Sequence, residues 1–156
     1  MIYPQDIMDA LAEQIRGKFP GEPVYLNREP SGFQRPSTLV ALGKCAGQAD
    51  MGFGVVELRP VVAITAFTEV DEYHHSHLQE LNRRQMVLTG LLLPGYVQVQ
   101  DRAPKVVKLE LESGWDFATV AATFSVTLDR EDFISLEQAP VAQTVGMAFQ
   151  VQDERR

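Results

Sequence analysis

PVYLNREPSGFQRPSTLVAL, residues Pro23–Leu42, is the stretch on which the fold of this chain turns. Val24-Tyr25-Leu26 reads as a short strand, Thr38–Leu42 as an apolar one, and Ser31-Gly32-Phe33-Gln34-Arg35-Pro36 carries the turn chemistry between them. The spacing predicts a hairpin of Val24–Glu29 with Thr38–Leu42, joined by a shaped, partly apolar connection over Pro30–Pro36. Neither the strands nor the connection carries a recognisable catalytic set.

Upstream, Pro4 to Phe19 reads as a helix. Ile7, Leu11 and Ile15 recur every four residues, with Met8 and Ala12 beside them, which gives one apolar stripe. Pro4 suits a first-turn position, where its missing N–H has no helical partner. Asp6 and Asp9 near the start, and Arg16 and Lys18 near the end, complement the helix dipole. Phe19-Pro20-Gly21 stops it.

Downstream, Gly43–Gly54 is small-residue chain carrying Met51 and Phe53, expected as a mobile hairpin tip. Val55–Phe67 is a central strand, because Val61-Val62-Ala63-Ile64 is apolar on both faces, and Pro60 predicts a bulge or break near its start. Asp71 to Leu92 contains a second helix with a Leu78, Leu81, Leu88, Leu92 stripe, ended by Pro94-Gly95. Three alternating strands follow, marked by Val97/Val99, by Val107/Leu109/Leu111 and by Ala118/Val120/Ala122/Phe124/Val126/Leu128. Beyond Asp129–Asp132 the pattern weakens. Val141–Val151 reads as a last strand or an arm and Gln152–Arg156 as a charged tail. The expectation is one α+β domain over residues 1–152 with a tail at 153–156: a mainly antiparallel sheet with two helices packed on one face.

Bulk properties narrow the function. The chain has 156 residues, enough for one domain with its own core. A formal charge of −7 repels a phosphate backbone, which argues against sequence-reading DNA binding but not against a channel through which DNA slides. The single cysteine, Cys45, allows no internal disulfide and favours a reducing compartment. The first residues lack the basic and apolar regions of a secretory signal, and the apolar run Met86–Leu93 is too short to span a membrane.

Candidate chemistry is sparse. Tyr73-His74-His75-Ser76-His77 holds all three histidines, and His74 and His77 have the i, i+3 spacing of helical metal ligands, but no HExxH or cysteine partner accompanies them. The simpler reading is a polar helix start capped by Ser76 or Asp71. Cys45 with one of these histidines would make a nucleophile pair, although nothing around it forms a signature. The acids Asp71-Glu72 and Asp129…Glu131-Asp132 suit solvated turns or caps better than paired acid/base work. Arg83-Arg84 suits a solvated helix face or an intersubunit pair, and Phe33 and Trp115 are contact aromatics or sheet-end packing.

The order of parts resembles the tail-terminator proteins of long-tailed bacteriophages. The residues that carry the resemblance are the first helix ending in Phe19-Pro20, then Val24-Tyr25, then Gly32-Phe33 and Arg35-Pro36-Ser37 entering an apolar strand, with a second helix and a long late strand following. The resemblance implies a structural virion protein without enzymatic activity, catalytic residues, cofactor or metal. It implies a hexameric ring at the head-proximal end of the tail, made in the host cytoplasm. The ring's partners would be copies of itself, the tail tube protein, the head–tail connector and, in a contractile tail, the sheath. DNA would pass its lumen without specific binding, and no membrane is involved. Interface candidates are then Phe33, Arg35, Met51, Phe53, Arg83, Arg84 and Trp115. Acidic lumen or rim candidates are Asp71, Glu72, Asp129, Glu131 and Asp132. Other readings are a different head–tail connector or tube-like component, or a small metal- or ligand-binding α+β domain.

Overall fold

The computed structural model describes residues 1–48 and 52–138. Helix α1 (Pro4–Lys18) leads to strands β1 (Val24–Leu26), β2 (Ser37–Gln48) and β3 (Val55–Phe67). Helix α2 (Leu78–Gly90), strands β4 (Lys105–Ser113) and β5 (Phe117–Asp129) and helix α3 (Arg130–Gln138) follow. The five strands form one mixed sheet in the order β1-β2-β3-β5-β4. The fold is α+β, with β3 central as its doubly apolar sequence requires.

β3 and β5 form the spine. They pair antiparallel from Val55↔Asp129 to Phe67↔Phe117. Along β5 the even-numbered residues Ala118, Val120, Ala122, Phe124, Val126 and Leu128 are all buried, as their alternation predicts. Val62, Ile64 and Ala66 of β3 share that face. Both α1 and α2 cover it: α1 lies over β1 and β2, and α2 over β3 and β5. Ile7, Met8, Leu11 and Ile15 of α1 are at most 1% exposed, so its four-residue stripe is the packed face. At about 1.5–3 kcal/mol per buried large aliphatic side chain, this stripe accounts for most of the helix's anchorage.

The opposite face carries no helix among the described residues. Its middle is built from Ala41, Ala63, Ala121, Thr65, Thr119 and Thr123, which are half-buried because neighbouring strands shade such short side chains. Thr65 and Thr119 share a hydroxyl–hydroxyl hydrogen bond of 3.1 Å across the spine.

Several expectations are corrected. β1 and β2 do not form a hairpin: Val24–Leu26 runs parallel to Thr38–Val40, so the connection crosses back along the sheet instead of reversing direction. It crosses with a cis peptide at Arg35–Pro36. Val97 and Val99 belong to no strand: Val99 makes an isolated bridge with Arg102 and the Val97 N–H donates to the Pro104 carbonyl, yet both are buried, so they plug the core from irregular chain. In β4, Val107 is an extra residue between the pairs Val106↔Phe124 and Lys108↔Thr123. This bulge turns Val107 out of the face it was expected to share with Leu109. The bulge expected near Pro60 lies on the partner strand: Leu42↔Val62 and Cys45↔Pro60 leave Gly43 and Lys44 both opposite Val61. A third helix begins where the pattern weakened, at Arg130. Val141–Val151, the tail and the boundary at 152 lie outside the described residues.

The α2 stripe also differs. Leu78 is 64% exposed, and the inward positions between Leu81 and Leu88 are Arg84 and Gln85, each 6% exposed. Both are satisfied. The Gln85 side-chain amide donates to the carbonyls of Glu112 and Thr119, at 3.0 Å each, tying α2 to the β4–β5 end. Arg84 forks onto Glu22 at 2.5 and 2.7 Å. It also lies over the Phe19 ring, 4.3 Å from its centroid. A planar guanidinium can do both at once, and the clasp joins the end of α1 to α2. The hydrogen-bonded carboxylate of Glu22 holds the guanidinium's pKa above its already high ordinary value.

Removing the carboxylate while leaving the cation in place should therefore be costly. Glu22→Gln is expected to lower stability by about 2 kcal/mol in urea unfolding, below the full cost of breaking a buried pair because Glu22 keeps some solvent access. An unchanged unfolding midpoint would show that the clasp contributes nothing.

Candidate functional site

The expected contact residues separate into two groups at opposite ends of the β3–β5 spine. At roughly 3.3 Å per residue, strands of this length span about 40 Å. At one end, Phe67 pairs with Phe117 and the Ser31–Pro36 loop folds over them. Phe33 is the keystone of that loop. Its ring stands 4.7 Å from Phe67 and 6.4 Å, edge-on, from Tyr25. Both are favourable aromatic geometries, and the Tyr25 hydroxyl accepts the Gln34 N–H.

Arg35 locks the loop to the sheet. Its guanidinium donates to the carbonyls of Thr68 and Asp116, at 2.9 Å each, and to the Asp116 carboxylate at 3.1 Å. The same group lies over both Phe33 and Phe67, at 5.2 and 5.3 Å from the ring centroids. Such contacts between a cation and ring faces add to the hydrogen bonds. One planar cation thus joins three segments distant in sequence, a geometry for which lysine is no substitute. A shallow groove of about 380 Å³ remains between Phe33, Arg35, His74 and Asp116.

The histidines do not sit on a helix face. α2 starts at Leu78 with His77 at its N-cap, and the preceding residues form a tight turn closed by the Val70↔Ser76 bridge. Asp71 organises this turn instead of capping the helix. One of its carboxylate oxygens accepts the N–H groups of Tyr73 and His75, at 2.9 Å each. This is the local backbone bonding that suits aspartate to turns. His74, with a backbone φ of 61°, reaches the Asp116 carboxylate at 3.0 Å. His75 stands edge-on to Trp115 at 4.6 Å, and the Ser76 N–H donates to the Trp115 carbonyl. Trp115 lies in the turn before β5 and is 75% exposed; Tyr73 is 72% exposed. Glu72 is exposed at the turn's tip. Among the described residues, no group of three metal-ligating side chains gathers. The tight turn at Trp115 has a steric requirement that sequence reading missed: a Cβ on Gly114 would stand 2.1 Å from the Phe117 ring.

At the other end, the β2–β3 connection projects Gly52-Phe53-Gly54, three consecutive residues with positive φ of 92°, 55° and 75°. Phe53 is fully exposed there, in a conformation that an aromatic residue rarely adopts. The first turn of α3 lies alongside, and Phe53, Gly54, Glu131 and Ile134 line a shared groove. Asp129 ends β5, and Glu131 and Asp132 lie in the first turn of α3. The Asp132 carboxylate accepts the Asp129 N–H at 3.2 Å. These acids therefore support a helix start as well as forming an acidic rim. Met51 lies outside the described residues.

The two arginines fall in neither group. Arg84, expected as a contact residue, is buried in the Glu22 clasp, and Arg83 is exposed and paired with Glu80 on its own helix at 2.6 Å. Cys45 is exposed on β2 opposite Pro60, well along the spine from the Phe67 end, so it forms no dyad with the histidines.

Two outcomes test the Phe67 end of the molecule. Arg35→Lys should cost about 2 kcal/mol in urea unfolding and release Phe33, because one ammonium cannot replace the forked donors. Asp71 is held below the ordinary aspartate range, chiefly by the His75 N–H and further by that of Tyr73. Its support for the turn should therefore be complete above the unfolded-state pKa and fade as pH falls through the lower folded value. The amide shifts of His75 and Tyr73 in an acid titration report this; if they stay flat while other carboxylate-linked amides move, the turn does not depend on Asp71.

Compared with known proteins, the chain matches no protein-family model and no curated protein.

Proposed function

We propose that this protein is a structural ring component of the tail-terminator type. It would assemble with copies of itself at the head-proximal end of a phage tail, meeting the tube on one side and the connector on the other. The observation that carries the reading is the placement of large apolar side chains at both ends of a long sheet. Phe53 and Ile134 stand exposed at one end, Trp115 and Tyr73 at the other. Exposed aromatics of this kind mark contact surfaces, and a protein with contacts at opposite ends suits a position between two partners.

The strain at Phe53 strengthens the reading. A non-glycine residue at positive φ costs on the order of 1–2 kcal/mol. Here the fully exposed side chain gains no packing within the described residues in return. Flanking glycines on both sides hold the ring out at the tip. The acidic balance of the chain, and the acids beside Phe53 at the start of α3, fit a passage that DNA crosses without adhering.

Light scattering and negative-stain imaging of the purified protein, alone and with tail tubes, are expected to show a ring of about six copies. A monomer at high concentration under both conditions would overturn the proposal, and open stacks would favour a tube-like component instead. Phe53→Gly separates strain from contact. It should raise the stability of the isolated subunit by about 1 kcal/mol while weakening assembly or tube capping about tenfold. Unchanged capping would remove Phe53 from the contact surface.

A further inference from the structure

The sheet has two open edges on opposite sides. β1 covers only Thr38–Val40 of β2, so from Ala41 to Gln48 the outer edge of β2 is unpaired among the described residues. β4 is the other outer strand; the Gly95–Tyr96 segment bonds to Lys105 and Val106, and from Val107 to Ser113 the outer edge is unpaired among the described residues. Open edges are templates for further strand pairing unless they are short, charged or interrupted by proline. The β2 edge carries a single charge, Lys44, and no proline. Each edge also leaves a leucine half-exposed on the helix-covered face. Leu42 is 40% exposed and Leu111 is 44% exposed.

We infer that the β2 edge of one copy pairs with the β4 edge of the next, continuing the sheet from subunit to subunit. This deepens the ring reading above and rests on it. Four features carry it. Their directions fit: β2, β3, β5 and β4 alternate in direction, so a neighbour related by rotation about an axis along the strands presents β4 antiparallel to β2. The contact is also heterologous, using two different edges, which a closed ring requires.

The faces fit as well. With Leu42 opposite Leu111, the two half-exposed leucines bury one another as an extension of the core. The Gly43–Lys44 bulge then falls opposite Glu110. Beyond it Cys45 meets Leu109 on the helix-covered face, and Ala46 meets Lys108 on the other. The bulge in β2 thus keeps the alternation of the two strands in step. Finally, the charges fit, because the register sets Lys44 across from Glu110. In the single subunit, Glu110 is met by Lys108 of its own strand at 3.7 Å, an exposed and loose pair.

Cysteine cross-linking in the full chain tests the register. Leu42→Cys with Leu111→Cys, in a Cys45→Ser background, should give on oxidation a ladder of covalent oligomers ending at the ring's size. Leu42→Cys with Val107→Cys should not. If light scattering shows the assembled particle but denaturing gels show only monomer, another segment occupies these edges: the edge pairing is overturned and the ring reading stands. If the protein remains monomeric with and without tail tubes, the ring reading falls and the pairing with it. A charge exchange supplies a readout that core packing does not influence, since both residues are exposed. Lys44→Glu and Glu110→Lys should each weaken assembly severalfold per contact, and the double exchange should restore it. Additive losses in the double variant would overturn the register.

Discussion

The antiparallel pairing of β3 with β5 is the constraint on which the rest of the structure depends. Two 13-residue strands stay in register from Val55↔Asp129 to Phe67↔Phe117. Because side chains alternate, that register divides the molecule into two faces. The even-numbered face receives α1, α2 and the irregular segment that buries Val97 and Val99. The other face keeps small residues and, among the described residues, no helical layer. The spine's length also sets the distance between the two exposed ends, so the placement of contact residues follows from the core strands.

Polar groups buried around this spine act as fasteners more than as chemistry. Arg84 ties the end of α1 to α2 through Glu22, Gln85 ties α2 to the carbonyls of β4 and β5, and Arg35 ties the crossing loop to the end of the sheet. Each is a long side chain with several donors, placed where backbone carbonyls or a carboxylate would otherwise be left without partners. The Arg35 clasp also presents Phe33, His74 and Trp115 on one side of the molecule. Local order at that end therefore depends on this guanidinium together with the turn that Asp71 builds.

Much of this was legible from the chain. The α1 stripe, the central position of β3, the buried face of β5 and a bulge near Pro60 all came from periodicity and from the missing N–H of proline, which are local properties. The misreadings have a common origin. Arg84 read as solvent-facing because polarity was taken for exposure, whereas its partner Glu22 is 62 residues away; Gln85 drew no reading because its partners Glu112 and Thr119 are 27 and 34 residues away. The histidines read as a helix start because their turn is built by Asp71, whose side chain accepts backbone N–H groups that a helix would have used differently. Val107 fell on the wrong face because a bulge moves a residue without changing the pattern around it.

By itself, then, the sequence determined most of the elements, the class of fold and the identity of most core residues, because apolar periodicity acts within a few residues of chain. Only the tertiary structure decided the parallel pairing of Val24–Leu26, the two open edges and the separation of the exposed aromatics to opposite ends. Strand partners and direction depend on long-range pairing, which residues 23–42 alone do not encode: the same short strand and turn chemistry is compatible with a hairpin or with a crossing. The sheet accepted the crossing, and Arg35 and Phe33 hold it through Phe67, Thr68 and Asp116, partners 33 to 81 residues further along the chain.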